Sequence, residues 1–507
     1  MELDLFAIIA NAAVSAVSPL NLAICLLGTV VGIVIGALPG FTSTMGVALF
    51  IPFSYSMPPA TGMIFLVSIY CSSTYGGSIS AILINTPGTP SAVITTIDGY
   101  EMTKNGEGGR ALAMAVFSSL VGGLFSAFAL LLIAPPLARL VLLFGPVEIF
   151  YLALFGLSII VGFSKGSLVK GLISGVVGLL LATVGVDMIS GVYRYTFDNV
   201  SLFEGMPSVP LVIGLFSACQ VFALGEQKRA SIVHEIAQFS DSAFPRWADI
   251  RDNWFNMLRS SLIGTIVGII PAAGMSIACA IAYNEAKRAS KHPEKFGHGS
   301  VEGVIASEAA NNGVTGGSLV PLLTLGVPGN TVSAVFLGGL LIHGLRPGVQ
   351  LFTKYADISY TLLLGLFVAN VMMFVVGLFA AREVAKITRV STDILAPIIM
   401  VLCVMGSYAI RNNLFDTGLM LTFGIVGWFL RRNDFPIMPL VLGIILGPIA
   451  DRELLRIAQL YGDNIWQIFQ RPITLFLFVL SVLSVATPLI LGFVRARRAK
   501  AKEKAGS

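Results

Sequence analysis

Apolar residues fall along this chain in long unbroken runs, not in the short alternating or every-third-or-fourth patterns of a soluble protein. Runs near 20–38, 111–134, 147–163, 168–186, 208–225, 357–381, 394–410, 415–430 and 472–494 each approach the roughly 20 residues that carry a helix across a hydrocarbon core of about 30 Å. Alternating segments of strand length are missing, which argues against a β-barrel. The pattern predicts an all-α polytopic membrane protein. Two interruptions stand out against it: "NTPGTPSAV" at 85–93 and "LGVPGNTVSAV" at 325–335 each set Pro-Gly inside an apolar stretch.

The interruptions belong to a longer internal similarity. "GTVVGIVIGALPG" (28–40) resembles "GTIVGIIPAAG" (264–274), and "YGGSISAILINTPGTPSAV" (75–93) resembles "TGGSLVPLLTLGVPGNTVSAV" (315–335). Gly316 follows Gly76 by 240 positions and Pro328 follows Pro87 by 241. Fainter echoes pair Gly171 with Gly418 and Asp187 with Asp434. Several matches in one order, half a chain apart, predict two homologous repeats. Paired breaks at matching positions are the mark of a transporter built from inverted-topology repeats with broken helices. The division this suggests is a first transmembrane repeat at 1–225, a basic cytoplasmic linker at 226–255, a second repeat at 256–460, a C-terminal transmembrane segment at 461–494 and a basic tail at 495–507.

Composition agrees with the membrane reading. Hydrophobic residues make up 55% of the 507 positions and charged residues 12%, too much apolar surface for a soluble core to hide. The start, "MELD", is acidic, so residue 1 is read as mature with no cleavable signal. Cys25, Cys71, Cys219, Cys279 and Cys403 stand singly in apolar segments, and His234, His292, His298 and His343 show no ligand spacing, so no metal or redox site is expected from them. Basic residues collect in 226–255, 284–299 and 495–507, which predicts that all three are cytoplasmic. One apolar run, 256–283, separates the first two. Its break at Pro271-Ala-Ala-Gly274 would let the chain dip in and return on the same side, and such backbone must face protein or a water-filled cavity.

Length then places the Pro-Gly tips. About nine residues separate Gly77 from Thr86, and Gly317 from Gly326, which as helix rise roughly 13 Å, half the hydrocarbon core. Each tip is therefore expected near the midplane. Proline removes a donor and glycine removes the Cβ, leaving helix ends and bare backbone at a shared cavity. The helix N-terminus after each tip, at Thr89–Ser91 and at Asn330–Thr331, suits a carboxylate. Carbonyls before each tip, with Asn85, Thr86 and Thr324, suit a small cation such as sodium. The candidate substrate- or ion-facing positions are Pro39, Gly40, Ser43, Asn85, Thr86, Pro87, Gly88, Thr89, Pro271, Gly274, Asn311, Asn312, Gly326, Pro328, Gly329, Asn330 and Thr331, with sodium expected at Asn85, Thr86, Gly326 and Asn330. A packing kink at each proline is the competing explanation.

"GALPGFTSTMG", "YGGSISAILINTPGTPSAVITTIDGYEMTKNGEGGRAL" and "SEAANNGVTGGSLVPLLTLGVPGN" resemble signature segments of the large membrane subunit of the tripartite tricarboxylate transporters, over essentially the whole chain. The resemblance implies a carrier of the bacterial inner membrane, related to elevator-type transporters. It implies two partners, a small four-helix membrane subunit and a periplasmic solute-binding protein. It also implies coupling to an ion gradient, usually sodium, and a carboxylate substrate of the di- or tricarboxylate class.

Remaining polar residues are read more plainly. Glu308 is expected to face water at a helix start, while Asn311 and Asn312 suit an ion or substrate contact. Lys165, Lys170, Asp187, Arg411, Asp416 and Asp434 lie near ends of apolar runs, where snorkelling or a solvated loop suffices. "TKNGEGGR" (103–110) lacks the lysine and hydroxyl of a phosphate loop, and no ATPase, HExxH or acidic metal motif occurs. No enzyme activity, cofactor or nucleic-acid partner is expected, and self-association of the chain stays open. A channel or a membrane-embedded enzyme would be told from a carrier by passive flux or by covalent change of the substrate.

Overall fold

The computed structural model describes residues 5–38, 40–140, 143–163, 168–187, 191–226, 241, 244–271, 273–387 and 392–486. Backbone amides have no water to bond in a bilayer, so apolar segments satisfy themselves as helix. The first half contains α1 (Leu5–Ala16), α2 (Pro19–Ala37), α3 (Ser43–Tyr55), α4 (Pro59–Ile84), α5 (Val93–Lys104), α6 (Gly108–Leu140), α7 (Pro146–Phe163), α8 (Leu168–Ala182) and α9 (Ser208–Glu226). The second contains α10 (Trp247–Ile269), α11 (Met275–Ala289), α12 (Val301–Leu325), α13 (Thr331–Ile342), α14 (Ala356–Ile387), α15 (Thr392–Arg411), α16 (Leu414–Arg432), α17 (Ile437–Tyr461) and α18 (Pro472–Ala486). Seven helices among the described residues are long and apolar enough to cross a membrane. A two-residue antiparallel ribbon, β1 (Gly185–Val186) with β2 (Tyr193–Arg194), closes the loop before α9.

After α1, the order α2 to α9 recurs as α10 to α17, and packing repeats with it. α2 lies along α4 as α10 lies along α12. α6 packs on α12 while α14 packs on α4, and α8 meets α17 while α16 meets α9. Each half thus wraps its third long helix around the other half's centre. The two central helices, α4 and α12, are buried almost end to end. They cross in opposite directions: Tyr70 meets Ser318, Thr74 meets Asn311 and Ser78 meets Glu308. By contrast α15 turns Ile394, Ile398, Val401 and Met405 outward, the face an apolar solvent would cover.

Two details differ from the sequence expectation. α4 runs unbroken through Gly76-Gly77, and α12 through Gly316-Gly317, so each tip ends a helix of 26 or 25 residues and not a half-length leg. In membrane helices glycine serves close packing more than breaking: a Cβ on Gly76 would stand 2.5 Å from the Ile33 carbonyl oxygen of α2, and one on Gly317 would stand 2.5 Å from that of Thr265 in α10. α10 begins at Trp247, inside the segment read as linker, because Asp249 in its first turn pairs with Arg110 at 2.6 Å. The rest of that linker from 227 to 240, and the basic tail 495–507, lie outside the described residues.

Candidate functional site

The first tip opens where α4 ends on Asn85 in the left-handed region (φ 56°). The chain doubles back through Thr86 and Pro87 until the Gly88 amide donates to the Gly77 carbonyl at 3.2 Å. Gly88 therefore sits beside the interior of α4, seven residues short of its end. No larger residue fits, since a Cβ would lie 1.9 Å from the Gly36 carbonyl oxygen. A single 3₁₀ turn, Pro90–Ala92, then leads into α5.

The second tip repeats this path. Gly326 takes the left-handed position (φ 72°), and a Cβ on Gly329 would meet the Gly268 carbonyl oxygen at 2.4 Å and Ser318 Cα at 2.8 Å. Asn330 then caps α13 in a reciprocal box: its side chain accepts from the Ser333 amide at 2.8 Å, and Ser333 Oγ accepts from the Asn330 amide at 2.9 Å. Its Nδ2 donates to Tyr70 Oη at 2.7 Å, and that hydroxyl bonds Ser318 Oγ at 2.9 Å.

Both returns open on one cavity of about 520 Å³. Four helices begin at its wall: α3 at Ser43, α5 behind Thr89–Ser91, α11 at Gly274–Ser276 and α13 at Asn330–Val332. The tips and the breaks are cross-tied, Thr44 Oγ1 to Thr331 Oγ1 at 3.0 Å and Ser276 Oγ to the Pro90 carbonyl at 3.1 Å. Thr42 and Asn330 cap their helices with side chains, whereas Thr89 and Gly274 provide no side-chain cap. Ser43 Oγ is buried with no hydrogen-bond partner. The opposite wall comes from α9, where a π-turn at Gly214–Ala218 precedes Cys219 and Gln220, and from Arg431 and Phe435–Met438 around the α16–α17 turn. Arg431 Nη1 donates to Gln220 Oε1. Aligned N-termini and a guanidinium facing one space make a site for an anion.

Of the sequence-predicted positions, the cavity gathers Ser43, Thr89, Gly274, Asn330 and Thr331. Asn85, Thr86, Pro87, Gly88, Pro271, Gly326, Pro328 and Gly329 shape the turns behind it and do not line it. Gly40 stands near Leu224 and Gln220 of α9, while Pro39 lies outside the described residues. Asn311 and Asn312 tie α12 to α4, donating to the carbonyls of Thr74 and Cys71 at 3.3 Å each. Gln220 and Arg431 escaped the sequence reading; the polar residue inside the 208–225 run was the available signal.

Several polar residues read as solvated are not. Glu308 is fully buried among hydroxyls. Asp416 is fully buried against Arg411, and Asp187 is buried beside Arg194 at 3.7 Å. Arg411 lies five positions from Asp416 and Arg194 seven from Asp187, so reading each charge singly at a run end missed pairs that are close in sequence. Lys170 bonds the Asn433 carbonyl at 2.7 Å in the open, and Asp434 turns the chain after α16 with φ 58°. Lys165 lies outside the described residues.

Comparison with known proteins then places the chain. The sequence model described as the tripartite tricarboxylate transporter TctA family matches residues 22–442. An Agrobacterium vitis protein, described as an uncharacterized 52.8 kDa protein in the TAR-I ttuC' 3' region, is 34% identical over 488 residues, 96% of each chain. Another from the same organism, described as an uncharacterized protein in the TAR-II ttuC' 3' region, is 31% identical over 235 residues, covering 46% of this chain and 97% of its own. No solved structure matches.

Proposed function

This chain belongs to the tripartite tricarboxylate transporter TctA family, and we propose that it carries a small di- or tricarboxylate into bacteria across the inner membrane, driven by a sodium gradient. It is a multi-pass membrane protein and a transporter subunit, not an enzyme. The observation that carries the substrate reading is the cavity where four helix N-termini face Arg431. Carboxylates are the anions these groups suit: amide donors and helix dipoles take one oxygen pair, and a guanidinium takes another in fork geometry.

The mechanism we infer is alternating access between inverted repeats. The antiparallel crossing of α4 and α12 and the repeated order of elements support it. In this reading α2–α6 and α10–α14 move as one body past α7–α9 and α15–α18, with the cavity at the boundary. Sodium would bind at the tips, with Asn85, Thr86, Gly326 and Asn330 as the expected ligands. A small membrane subunit and a periplasmic binding protein complete the system, and the basic segments 226–255, 284–299 and 495–507 face the cytoplasm.

The test is uptake of radiolabelled citrate and succinate by cells expressing the complete tripartite system. Accumulation that collapses without a sodium gradient is expected; passive equilibration would replace the carrier with a channel. Arg431→Ala should weaken apparent affinity about ten- to hundredfold, the loss of a charge-assisted bond worth about 1.5–3 kcal/mol. Unchanged affinity for every carboxylate would move the site elsewhere.

A further inference from the structure

Seven carboxylates are buried among the described residues: Asp98, Glu148, Asp187, Asp249, Glu308, Asp416 and Glu453. Six accept from backbone amides or guanidinium ions, which can only donate, with the Tyr283 hydroxyl beside them on Asp98 and the Thr474 hydroxyl on Glu148. Asp98 Oδ1 accepts three backbone amides, from Gly297, Gly299 and Ser300, at 2.8–3.0 Å. Glu148, Asp187, Asp249, Asp416 and Glu453 pair with Arg471, Arg194, Arg110, Arg411 and Arg456. Amides and guanidinium ions fix a carboxylate in its charged form. Glu308 is the exception.

Its partners are hydroxyls alone. Ser78 Oγ meets Oε1 at 2.7 Å, Thr95 Oγ1 meets the same oxygen, and Ser119 Oγ meets Oε2 at 3.1 Å, with Ser307 behind Thr95 at 3.0 Å. A hydroxyl both donates and accepts, so this shell holds a carboxylate or a neutral carboxyl without rearrangement. Among the described residues no cation pairs with it, and an unpaired buried charge is costly enough that such a group takes a proton instead. An ionisable side chain of this kind inside a membrane protein marks an ion or proton path by default.

Position strengthens the case. Ser78 and Thr95 belong to the two legs of the first hairpin, Ser119 to α6, and Glu308 to α12 of the other half. The carboxyl therefore stitches that hairpin to the opposite repeat, one residue along α4 from Gly77, where the tip folds back. The titratable groups in its electrostatic reach are Tyr75 on α4 and Cys279 on α11. The Tyr75 hydroxyl is buried without a hydrogen-bond partner. α5 and α6 face it with Thr95 and Ser119.

We propose that Glu308 is a proton-binding site: its carboxylate takes one proton from water on one side of the membrane and returns it on the other as the first hairpin changes its packing. No other bond changes. The proposal adds a proton to the ion coupling above and rests on the carrier reading only for the direction of release.

Two measurements test it. The first is an infrared titration of the purified full-length chain in lipid nanodiscs between roughly pH 5 and 9, with protons as the only ligand. The wild type should show a buried-carboxyl C=O band that titrates; Glu308→Gln should lack it, and Ser119→Ala should shift its midpoint by about one pH unit. A band unchanged in both variants overturns the proposal, and Ser119→Ala keeps the test alive should Glu308→Gln not fold. The second is uptake by the complete system at a fixed sodium gradient. Its rate should vary about tenfold over that range in the wild type and stay flat in Glu308→Gln; a wild-type pH profile in that variant also overturns it. Absence of carboxylate uptake would sink the carrier reading while leaving the infrared result to decide this one.

Discussion

The two tips follow one path and part at the helix that comes next. In the second, Asn330 spends its oxygen on the Ser333 amide and its nitrogen on Tyr70, and α13 is buried over nearly its whole length. In the first, Thr89 holds the same position, yet its hydroxyl meets Ser91 at 3.2 Å and caps no amide. The helix it opens, α5, leaves Val93 and Ile97 exposed. Orphan amides at a helix start need a partner. The second tip supplies its own side-chain cap, whereas the first supplies none and lines the cavity with Thr89 and Ser91. Related sequences have therefore built one locked end and one receptive end: the second hairpin is framework, and the first is the end that should answer to a ligand.

The largest effects should come where both tips are pressed against backbone, the first more tightly than the second, and the comparison predicts a ranking there. Gly88→Ala drives a Cβ to 1.9 Å from the backbone oxygen of Gly36, and Gly329→Ala drives one to 2.4 Å from that of Gly268. Backbone cannot step aside as a side chain can, and overpacking of this kind costs about 1–3 kcal/mol or more. Uptake should be abolished in Gly88→Ala and strongly reduced in Gly329→Ala, with both proteins still reaching the membrane. Equal wild-type uptake would mean that neither turn is held against its neighbouring helix.

Next in size, Asn330→Ala and Thr89→Ala should fail in opposite ways. Asn330→Ala removes a cap worth about 0.5–2 kcal/mol and one partner of the buried Tyr70 hydroxyl, so the purified protein should melt several degrees lower. Thr89→Ala removes no cap. Its melting point should hold, while apparent affinity for the carboxylate falls several-fold, consistent with about 1 kcal/mol for one hydrogen bond. Should Thr89→Ala melt early and bind normally, the assignment of a receptive first tip and a locked second one is reversed.

The paired breaks were legible because Pro-Gly inside apolar sequence has few other uses, and the shared path of the two tips because their flanking matches keep their order. The length of each hairpin was not. Gly76-Gly77 and Gly316-Gly317 read as helix boundaries, yet they are contact points: Gly76 and Gly317 meet α2 and α10, Gly77 meets Thr89 and Gly316 meets Ser126 of α6. Glu308 was misplaced for a related reason. Its burial depends on Ser78, Thr95 and Ser119, hydroxyls about 190 to 230 positions away, and a local window cannot see them. Arg431 went unread for a like reason: its place follows from α9 bringing Gln220 against it.

The smallest expected effect tests the outer corner of the first tip, where the two sequences differ most simply. Asn85 adopts the left-handed conformation that Gly326 holds in the second tip, and it is exposed, while Gly326 has no side chain to offer. Left-handed backbone suits asparagine only somewhat less than glycine. Asn85→Gly should therefore leave stability within about 1 kcal/mol of the wild type and make the corner match its counterpart. If the side-chain oxygen of Asn85 is a sodium ligand, this variant should raise the sodium concentration needed for half-maximal uptake several-fold with folding unchanged. If that concentration stays the same, Asn85 is a turn residue like Gly326, and the coupling ion must find its oxygens nearer the cavity, among Thr89, Ser91 and the carbonyls beside them.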